Sequence, residues 1–311
     1  MSGKVSRRTL LRRSNLHYNP GVRTSTKIPL SAILSLLLLS GGIAFSAVAQ
    51  QVPPASGARI LLLPRKLVTG ERATLAVLDM NGKLTPGVHI TFSNGDKITT
   101  DATGRALFVA PLNPGIVSAS IEGRSGHVTS TILAPTDAPS SSLEVTAVPR
   151  VASLSDRMEI LGYGFCGDAD QNRVIIGGTP ALVLAASPAY LAVLPPEMDP
   201  GPASVQVICG QKTSVPFTVV FINLELDAKA TTLSPGEHRL LQVAITGSSA
   251  KISLEARNLA PEVAEMTGGT VVRAISSGGK ENMATFGLVG KQRGSFVISI
   301  RLLAPLGSPR P

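Results

Sequence analysis

Residues 157–165 read RMEILGYGF and residues 172–178 read NRVIIGG, and these two stretches decide the fold. Each is a short run of apolar, partly β-branched residues that stops at glycine. Such runs, bounded by turn residues, are typical of β-strands. Gly177-Gly178 suits a two-residue hairpin turn, in which both central residues need a positive φ. The stretches therefore predict antiparallel strands joined by tight turns.

The rest of the chain repeats this pattern. Its 30 glycines and 23 prolines separate short runs rich in Val, Ile, Leu, Ala and Thr, and long amphipathic helical windows are missing. These features predict an all-β protein made of tandem immunoglobulin-like β-sandwiches after an N-terminal signal peptide or anchor helix. The length beyond residue 49 exceeds one small sandwich and fits two or three compact domains.

Residues 1–49 have the pattern of a secretory signal peptide. Seven basic and no acidic residues precede an apolar run over 29–39, and the segment ends in Ala47-Val48-Ala49. Positive charge, an apolar helix and a small-residue cleavage site follow one another in such signals. We therefore expect an exported protein: periplasmic, cell-surface or extracellular. Because the run from 30 to 48 is nearly long enough to span a bilayer, an uncleaved anchor remains the alternative.

The charge distribution argues against a nucleic-acid partner. The chain has 29 basic and 20 acidic residues and a net charge of +9. Since the leader holds 7 of the basic residues, 22 remain against 20 acidic residues elsewhere. A nucleic-acid-binding protein concentrates its cations on one face of the folded part. We expect no such partner, and contact with a membrane only through the N-terminal segment.

The first strand-rich block covers residues 58–134, after a linker at 50–57. Within it, a strand ending at Phe92 and an Asn-Gly turn are followed by TDATGRA at 100–106. The block resembles the bacterial immunoglobulin-like domains of surface proteins, which share a Thr-Asp-x-x-Gly-x-Ala turn before a strand. The resemblance implies an immunoglobulin-like sandwich over the block.

The second block covers residues 143–222, after a second linker at 135–142. Its motifs follow in the order Gly-x-Gly-Phe, Val-x-Ile-Gly-Gly, a strand ending in Pro, Gly-x-x-x-Val-x-Val and a final Phe. The block resembles the IPT/TIG immunoglobulin-like family over its whole length. The resemblance implies a sandwich fold, and we expect Phe165 and Phe217 in its core.

The third block covers residues 223–305 and matches no family that we can name. Short apolar runs separated by Pro-Gly, Gly-Ser and Gly-Gly turns predict another β-sandwich there. One of these expected strands is 231–233. The last residues, 306–311, are expected to form a frayed tail.

Two cysteines, Cys166 and Cys209, lie beyond the leader. An even pair in an oxidising compartment usually joins, so we predict a disulfide between them. Two free buried thiols are the alternative.

The sequence offers little for catalysis, and we predict neither an enzyme nor a cofactor. The histidines after the leader (His89, His127 and His238) have no metal-ligand spacing, and no Gly-x-Ser-x-Gly turn occurs. Asp168, Asp170 and Asn172 alternate as in a calcium loop. However, the sixth and twelfth positions of that loop would be Arg173 and Thr179 instead of glycine and an acid. A solvated loop is the favoured interpretation, and the calcium site a weak candidate.

These features predict an exported, non-catalytic scaffold of the cell envelope or extracellular space. It would bind a protein or a cell-surface polymer through loops or strand edges. The alternative is a carbohydrate-binding or accessory module of a secreted glycan-active system, with Tyr190 as the ring to test. An enzyme with an unrecognised site is the third hypothesis.

Overall fold

The structure is a computed structural model of the chain, and it describes residues 59–137, 142–227, 232–248, 250–276 and 282–309. The predicted leader at 1–49 and linker at 50–57 lie outside these ranges, as do residues 138–141 of the linker at 135–142. In the described part, no helix is long and apolar enough to cross a membrane. Strands dominate, and the only helices described are two single 3-10 turns, so the predicted all-β fold class is confirmed.

The first block is a sandwich of two sheets. Its strands are β1 (Ile60–Leu62), β2 (Lys66–Val68), β3 (Arg72–Leu78), β4 (His89–Phe92), β5 (Lys97–Thr99), β6 (Arg105–Val109), β7 (Gly115–Ile121) and β8 (His127–Leu133). One sheet has the order β2-β8-β7-β4-β5, and the other has β3 between β1 and β6. Fully buried side chains such as Leu67, Leu75 and Ile90 fill the space between them.

The second block contains nine strands. These are β9 (Glu144–Pro149), β10 (Val151–Ser153), β11 (Met158–Tyr163), β12 (Asn172–Ile176), β13 (Thr179–Ser187), β14 (Tyr190–Leu194), β15 (Gly201–Cys209), β16 (Lys212–Thr213) and β17 (Phe217–Leu226). The 3-10 turns are η1 (Pro135–Asp137), before the block, and η2 (Ala169–Gln171). Gly177 and Gly178 have φ of 57° and 88° and close the predicted hairpin between β12 and β13. Phe165 and Phe217 are buried in the core, as expected.

Strand β13 belongs to both sheets of this sandwich. Its first residues pair with β12, and its later residues pair with β14. One sheet continues from β14 through β11 to β9, and the other from β12 through β15 to β17 and β10.

The third block also consists of two sheets. Its strands are β18 (His238–Thr246), β19 (Ser253–Asn258), β20 (Ala264–Thr267), β21 (Val271–Arg273), β22 (Ile275–Ser276), β23 (Asn282–Gly290), β24 (Ile298–Leu302) and β25 (Leu306–Gly307). One sheet runs from β17 through β18 to β23, which also pairs with β20 and β22. The other has β19 between β21 and β24. Phe286 and Leu254 are fully buried between the two sheets.

Two expectations for the third block are wrong. The tail predicted at 306–311 does not simply fray, because Leu306 and Gly307 pair with Pro149 and Val148 at the edge of β9. The expected strand at 231–233 is not formed at Leu233, which packs against the core from irregular backbone. In both cases the pairing depends on which sheet edge lies nearby, and a local pattern does not contain that information.

Candidate functional site

The residues with potential chemistry do not converge. In the ranges that the structure covers, no three His, Cys, Asp or Glu side chains are grouped to hold a metal ion. His89 is exposed on its strand, and its Nδ1 lies 2.9 Å from the hydroxyl of Thr99 across the β4–β5 pair. His127 and His238 begin strands β8 and β18 and are also exposed.

The weak calcium candidates each have a protein partner. Asp168 accepts a hydrogen bond from the backbone N–H of Asp170 at 3.0 Å and so caps η2. Asp170 forms an ion pair with Arg105 of the first block at 2.7 Å. The side-chain amide of Asn172 bonds the backbone N–H and C=O of Cys166. The calcium site stays a prediction, and the structure gives these three side chains other roles.

The predicted disulfide between Cys166 and Cys209 is present. The S–S distance is 1.94 Å and the Cα atoms lie 5.6 Å apart. It joins the loop after β11 to the end of β15, and both cysteines are half-buried.

Tyr190 cannot serve as an exposed platform for a sugar ring, and that hypothesis is wrong. Its exposed fraction is 3%, and its hydroxyl donates to Glu159 at 3.2 Å. Arg65 of the first block bonds the same carboxylate oxygen at 2.9 Å. Burial, reinforced by the charge of Glu159, raises the pKa of Tyr190 above its usual value. The ring belongs to the packing between the first two blocks.

That packing has an apolar part. Leu62, Ala76 and Leu78 of the first block form one buried cluster with side chains of the second block. The second-block members are Leu184, Ala185, Tyr190 and Ala192. Thr74 of β3 pairs with Ala186 of β13, so one sheet passes from the second block into the first.

The polar part of the packing centres on Arg105. This residue is 8% exposed and donates to the C=O of Val183 at 3.2 Å, in addition to its ion pair with Asp170. Nearby, the hydroxyl of Thr74 donates to the C=O of Gly167 at 2.9 Å and accepts from the N–H of Ala169 at 3.0 Å. A buried guanidinium without these partners would be costly, so they fix the relative placement of the two blocks.

The continuous sheet ends at an open edge in β6. This strand pairs with β3 and with no other strand among the described residues. Ala110, just after β6, exchanges backbone hydrogen bonds with Gly70 and Glu71 on the β3 side. Because backbone groups alternate along an antiparallel strand, those of Leu107 and Val109 point away from β3. Two donors and two acceptors therefore face outward along this edge.

Apolar side chains surround the open edge. Leu107 and Val109 are 46% and 59% exposed, and they lie on the same face of the strand. Between the edges of β5 and β6 lies a groove of about 320 Å³. Its floor includes Phe92, Phe108 and Ile98, and the two rings lie 5.1 Å apart at 41°. The groove is the lateral opening of the sandwich core, because Phe92 and its neighbours belong to that core.

Part of this edge is visible in the sequence. The Thr-Asp-x-x-Gly-x-Ala turn indicated the start of β6, and the run ALFVAP contains no charge and stops at a proline. The sequence does not show that β6 is the edge strand of its sheet, because the strand order depends on the topology of the whole sheet.

Comparison with known proteins reveals only distant structural likenesses. No protein-family model matches the sequence, and no curated protein matches it. A structure of domains 4 and 5 of the S-layer protein SbsC is 23% identical, with 38% of this chain covering 68% of that one and a TM-score of 0.21. Tandem immunoglobulin repeats of Dlar are 13% identical, covering 54% of this chain and all of that one, with a TM-score of 0.21.

A third likeness is to SGBP-B of the Bacteroides ovatus mixed-linkage glucan utilization locus, solved in complex with a mixed-linkage heptasaccharide. It is 12% identical, with 80% of this chain covering 76% of that one and a TM-score of 0.28. These values carry no argument about ligand or activity. They agree with an immunoglobulin-like β-sandwich in general, which the sheet pairing already describes.

Proposed function

We propose that this chain is an exported, non-catalytic scaffold that holds an extended polypeptide segment at the open edge of β6. The segment adds to the sheet as an antiparallel strand. The outward backbone donors and acceptors of Leu107 and Val109 carry this proposal, because another polypeptide backbone is the natural complement of such a row.

The chemistry around the edge supports the same class of partner. An added strand would place alternate side chains over the groove floored by Phe92, Ile98 and Phe108, and the others beside Leu107 and Val109. The groove is lined by these apolar side chains and, at its rim, by Asn94, Asp96 and Lys97, so we propose a partner segment with apolar side chains at alternate positions. Strand addition of this kind takes its affinity from main-chain hydrogen bonds and its specificity from the side-chain pockets.

The remaining features support an envelope or extracellular scaffold. The disulfide favours an oxidising compartment and agrees with the export signal expected at 1–49. The blocks are joined by a shared sheet and a continuous strand, which suits a spacer that presents one edge at a fixed place. We assign the second block to the IPT/TIG family and the first to the bacterial immunoglobulin-like domains on their sequence motifs.

The carbohydrate-binding alternative has no specific support in the described residues. The ring on which it depended, Tyr190, is buried. We propose a non-catalytic role because the sequence lacks a nucleophile motif and its histidines lack metal-ligand spacing.

A proline at Val109 tests the proposal. The N–H of Val109 points outward, so Val109→Pro removes a donor for the partner and leaves the β3–β6 pairing intact, and edge strands accept proline at such positions. Val109→Thr keeps both the N–H and the branched shape and is the matched control. A photo-crosslinking residue at Leu107 in the full chain, expressed in its native envelope, should trap a protein that the same residue at Val215 does not. Val215 is 79% exposed on the second block.

The trapped species should disappear in the Val109→Pro chain and persist in the Val109→Thr chain. In the purified complex, amide exchange at Leu107 and Val109 should slow by at least about tenfold, as expected for main-chain pairing. Crosslinking that survives Val109→Pro, or a complex without protection of these amides, would overturn strand addition at β6. If the trapped protein is a second copy of this chain, the partner at the β6 edge is the chain itself and the complex is a homodimer.

A further inference from the structure

The disulfide does more than close a loop within the second block. Between Cys166 and Asn172 the chain forms no strand, only the single turn η2. Cys166 is tied by its sulfur to Cys209 and by its backbone to the side-chain amide of Asn172, at 3.0 and 2.7 Å. These bonds hold the N-terminal end of a segment that we call the docking loop, residues 166–171.

The docking loop supplies several of the polar contacts to the first block. Gly167 and Ala169 bond the hydroxyl of Thr74, and Asp170 pairs with Arg105. Gly167 also lies so close to β3 that a Cβ on it would be 1.8 Å from the C=O of Arg72. All of these contacts fall within four residues of Cys166. The disulfide therefore holds the same short segment that the first block grips.

We infer that Cys166–Cys209 is a redox-sensitive lock on the junction between the first and second blocks. With the bond intact, the docking loop is fixed and the first block, with its β6 edge, has one placement. With the bond reduced, the loop keeps the Asn172 bonds, the burial of Ala169 in the second-block core and its contacts to the first block. The inference concerns the junction alone and does not depend on the partner proposed at β6.

The chemistry needs a dithiol reductant, such as an exported dithiol oxidoreductase or dithiothreitol in the laboratory. Its thiolate attacks one cysteine sulfur, the Cys166–Cys209 bond breaks, and its electron pair leaves with the other sulfur, which takes a proton. The second thiol of the reductant then attacks the mixed disulfide and releases the first cysteine as a thiol. Two electrons reach the protein, and the reductant becomes a disulfide. Both cysteines are half-buried, so a reagent can reach the bond.

A disulfide that only stabilises the second block would behave differently. Its loss would loosen the core strands of that block, β12 and β15, as much as the junction. A lock acts mainly on the docking loop and on the β3–β13 pairing at Thr74 and Ala186. Amide exchange measured residue by residue separates the two cases.

The test compares the oxidised full chain with the same chain in dithiothreitol under native conditions. Exchange at Thr74, Ala169 and Ala186 should accelerate by about tenfold or more, while β18 and β23 of the third block stay unchanged. In Thr74→Val, which removes the hydroxyl that bonds Gly167 and Ala169 of the docking loop, reduction should accelerate exchange at Ala186 much less, because the two changes act on one junction.

Unchanged exchange at Thr74 and Ala186 after complete reduction would overturn the lock. So would equal acceleration throughout β12 and β15, because the bond would then be a general support of the second block. The Cys166→Ser/Cys209→Ser chain repeats the test without reductant. If that chain does not fold, the reduction of prefolded wild-type protein decides alone.

Discussion

The two junctions of this protein join neighbouring blocks by different means. Between the second and third blocks the main chain itself is the connection, because β17 lies in both. Residues 217–221 pair with β15, and residues 223–226 pair with β18. Strand β25 then returns from the third block to pair with β9. Between the first and second blocks, one backbone bridge is supplemented by side chains such as Arg105 and Thr74.

Strand β17 serves two cores by changing the face that it buries. Phe217, Val219 and Phe221 point into the second-block core, and Ile222, Leu224 and Leu226 contact the third-block core. Phe221 and Ile222 are consecutive and both fully buried. In a strand with one buried face, successive side chains alternate between core and solvent. Two adjacent buried residues therefore show where one sandwich ends and the next begins.

The two junctions differ in whether they can be loosened without unfolding a block. A junction made by a continuous strand can be broken only at the expense of both cores. A junction made by packed side chains, polar contacts and a tethered loop can be loosened without unfolding either block. The junction between the first and second blocks, which we call the first junction, is therefore where redox state or a substitution can alter the placement of the β6 edge. The junction between the second and third blocks is the second junction.

The largest expected effects come from substitutions at the point in β17 where the second-block core ends and the third-block core begins. Phe221→Ala should destabilise the second block by about 4 kcal/mol, and Ile222→Ala the third block by about 3 kcal/mol, since each leaves a cavity in a different core. Denaturant unfolding measures how much each variant lowers the free energy of unfolding. Amide exchange in β12 and β18 shows whether the second or the third block is destabilised. Val220→Ala, at a half-buried position between the cores, is the control with a smaller loss. Identical exchange profiles for the two core variants would contradict the division.

The next effect is specific to the first junction. Gly167→Ala forces the docking loop away from β3, because the new Cβ would meet the C=O of Arg72 at 1.8 Å. We expect a loss of about 2 kcal/mol, the usual cost of overpacking, and faster exchange at Thr74. Gly126→Ala is the matched control, since a Cβ there has nothing within 4 Å. Calorimetry should show a lower unfolding temperature for Gly167→Ala than for the wild type, and almost no decrease for Gly126→Ala. A Gly167→Ala chain as stable as the wild type would mean that the loop does not press on β3.

The sequence predicted the parts of this design that depend on local chemistry. Gly177-Gly178 closes a hairpin because that turn needs two positive φ angles. The turn at 100–106 forms because the carboxylate of Asp101 accepts from the N–H groups of Thr103 and Arg105. Gly104 permits this turn, because its φ is 76° and a Cβ on it would collide with the backbone of Leu84 and Thr85. Each of these outcomes is decided within a few residues.

The parts that were missed depend on distant neighbours. An arginine that follows a turn is normally exposed, and Arg105 is buried only because the second block covers it. Tyr190 carried no local sign that Glu159 and Arg65 would enclose its hydroxyl. Leu306 becomes a strand residue because the edge of β9 is within reach. In each case the deciding contact spans tens of residues, and periodicity in the sequence does not record it.

The smallest expected effect is a pH dependence that separates the junctions. Hydrogen bonds from Thr103, chiefly its hydroxyl, lower the pKa of Asp101 in the folded protein. A lowered folded pKa means that the stabilisation is complete above the unfolded value of about 4 and is lost as the pH falls through the folded value. Because the Asp101 turn leads directly into Arg105, acid should loosen the first junction before the second.

Asp101→Asn tests this, since the variant cannot titrate at that position. The melting temperatures of wild type and Asp101→Asn should differ by a constant amount from about pH 7 to pH 5, and the difference should shrink below about pH 4. Over the same range, the protection factor of the Thr74 amide, which corrects for the slower intrinsic exchange in acid, should fall in the wild type. The protection factors of Asn223 and Ala244, both within the β17–β18 pairing, should not fall. A difference that widens in acid would have the wrong sign for a lowered pKa and would remove Asp101 from the account. Equal acid sensitivity at both sites would show that the side-chain junction and the main-chain junction are held equally firmly.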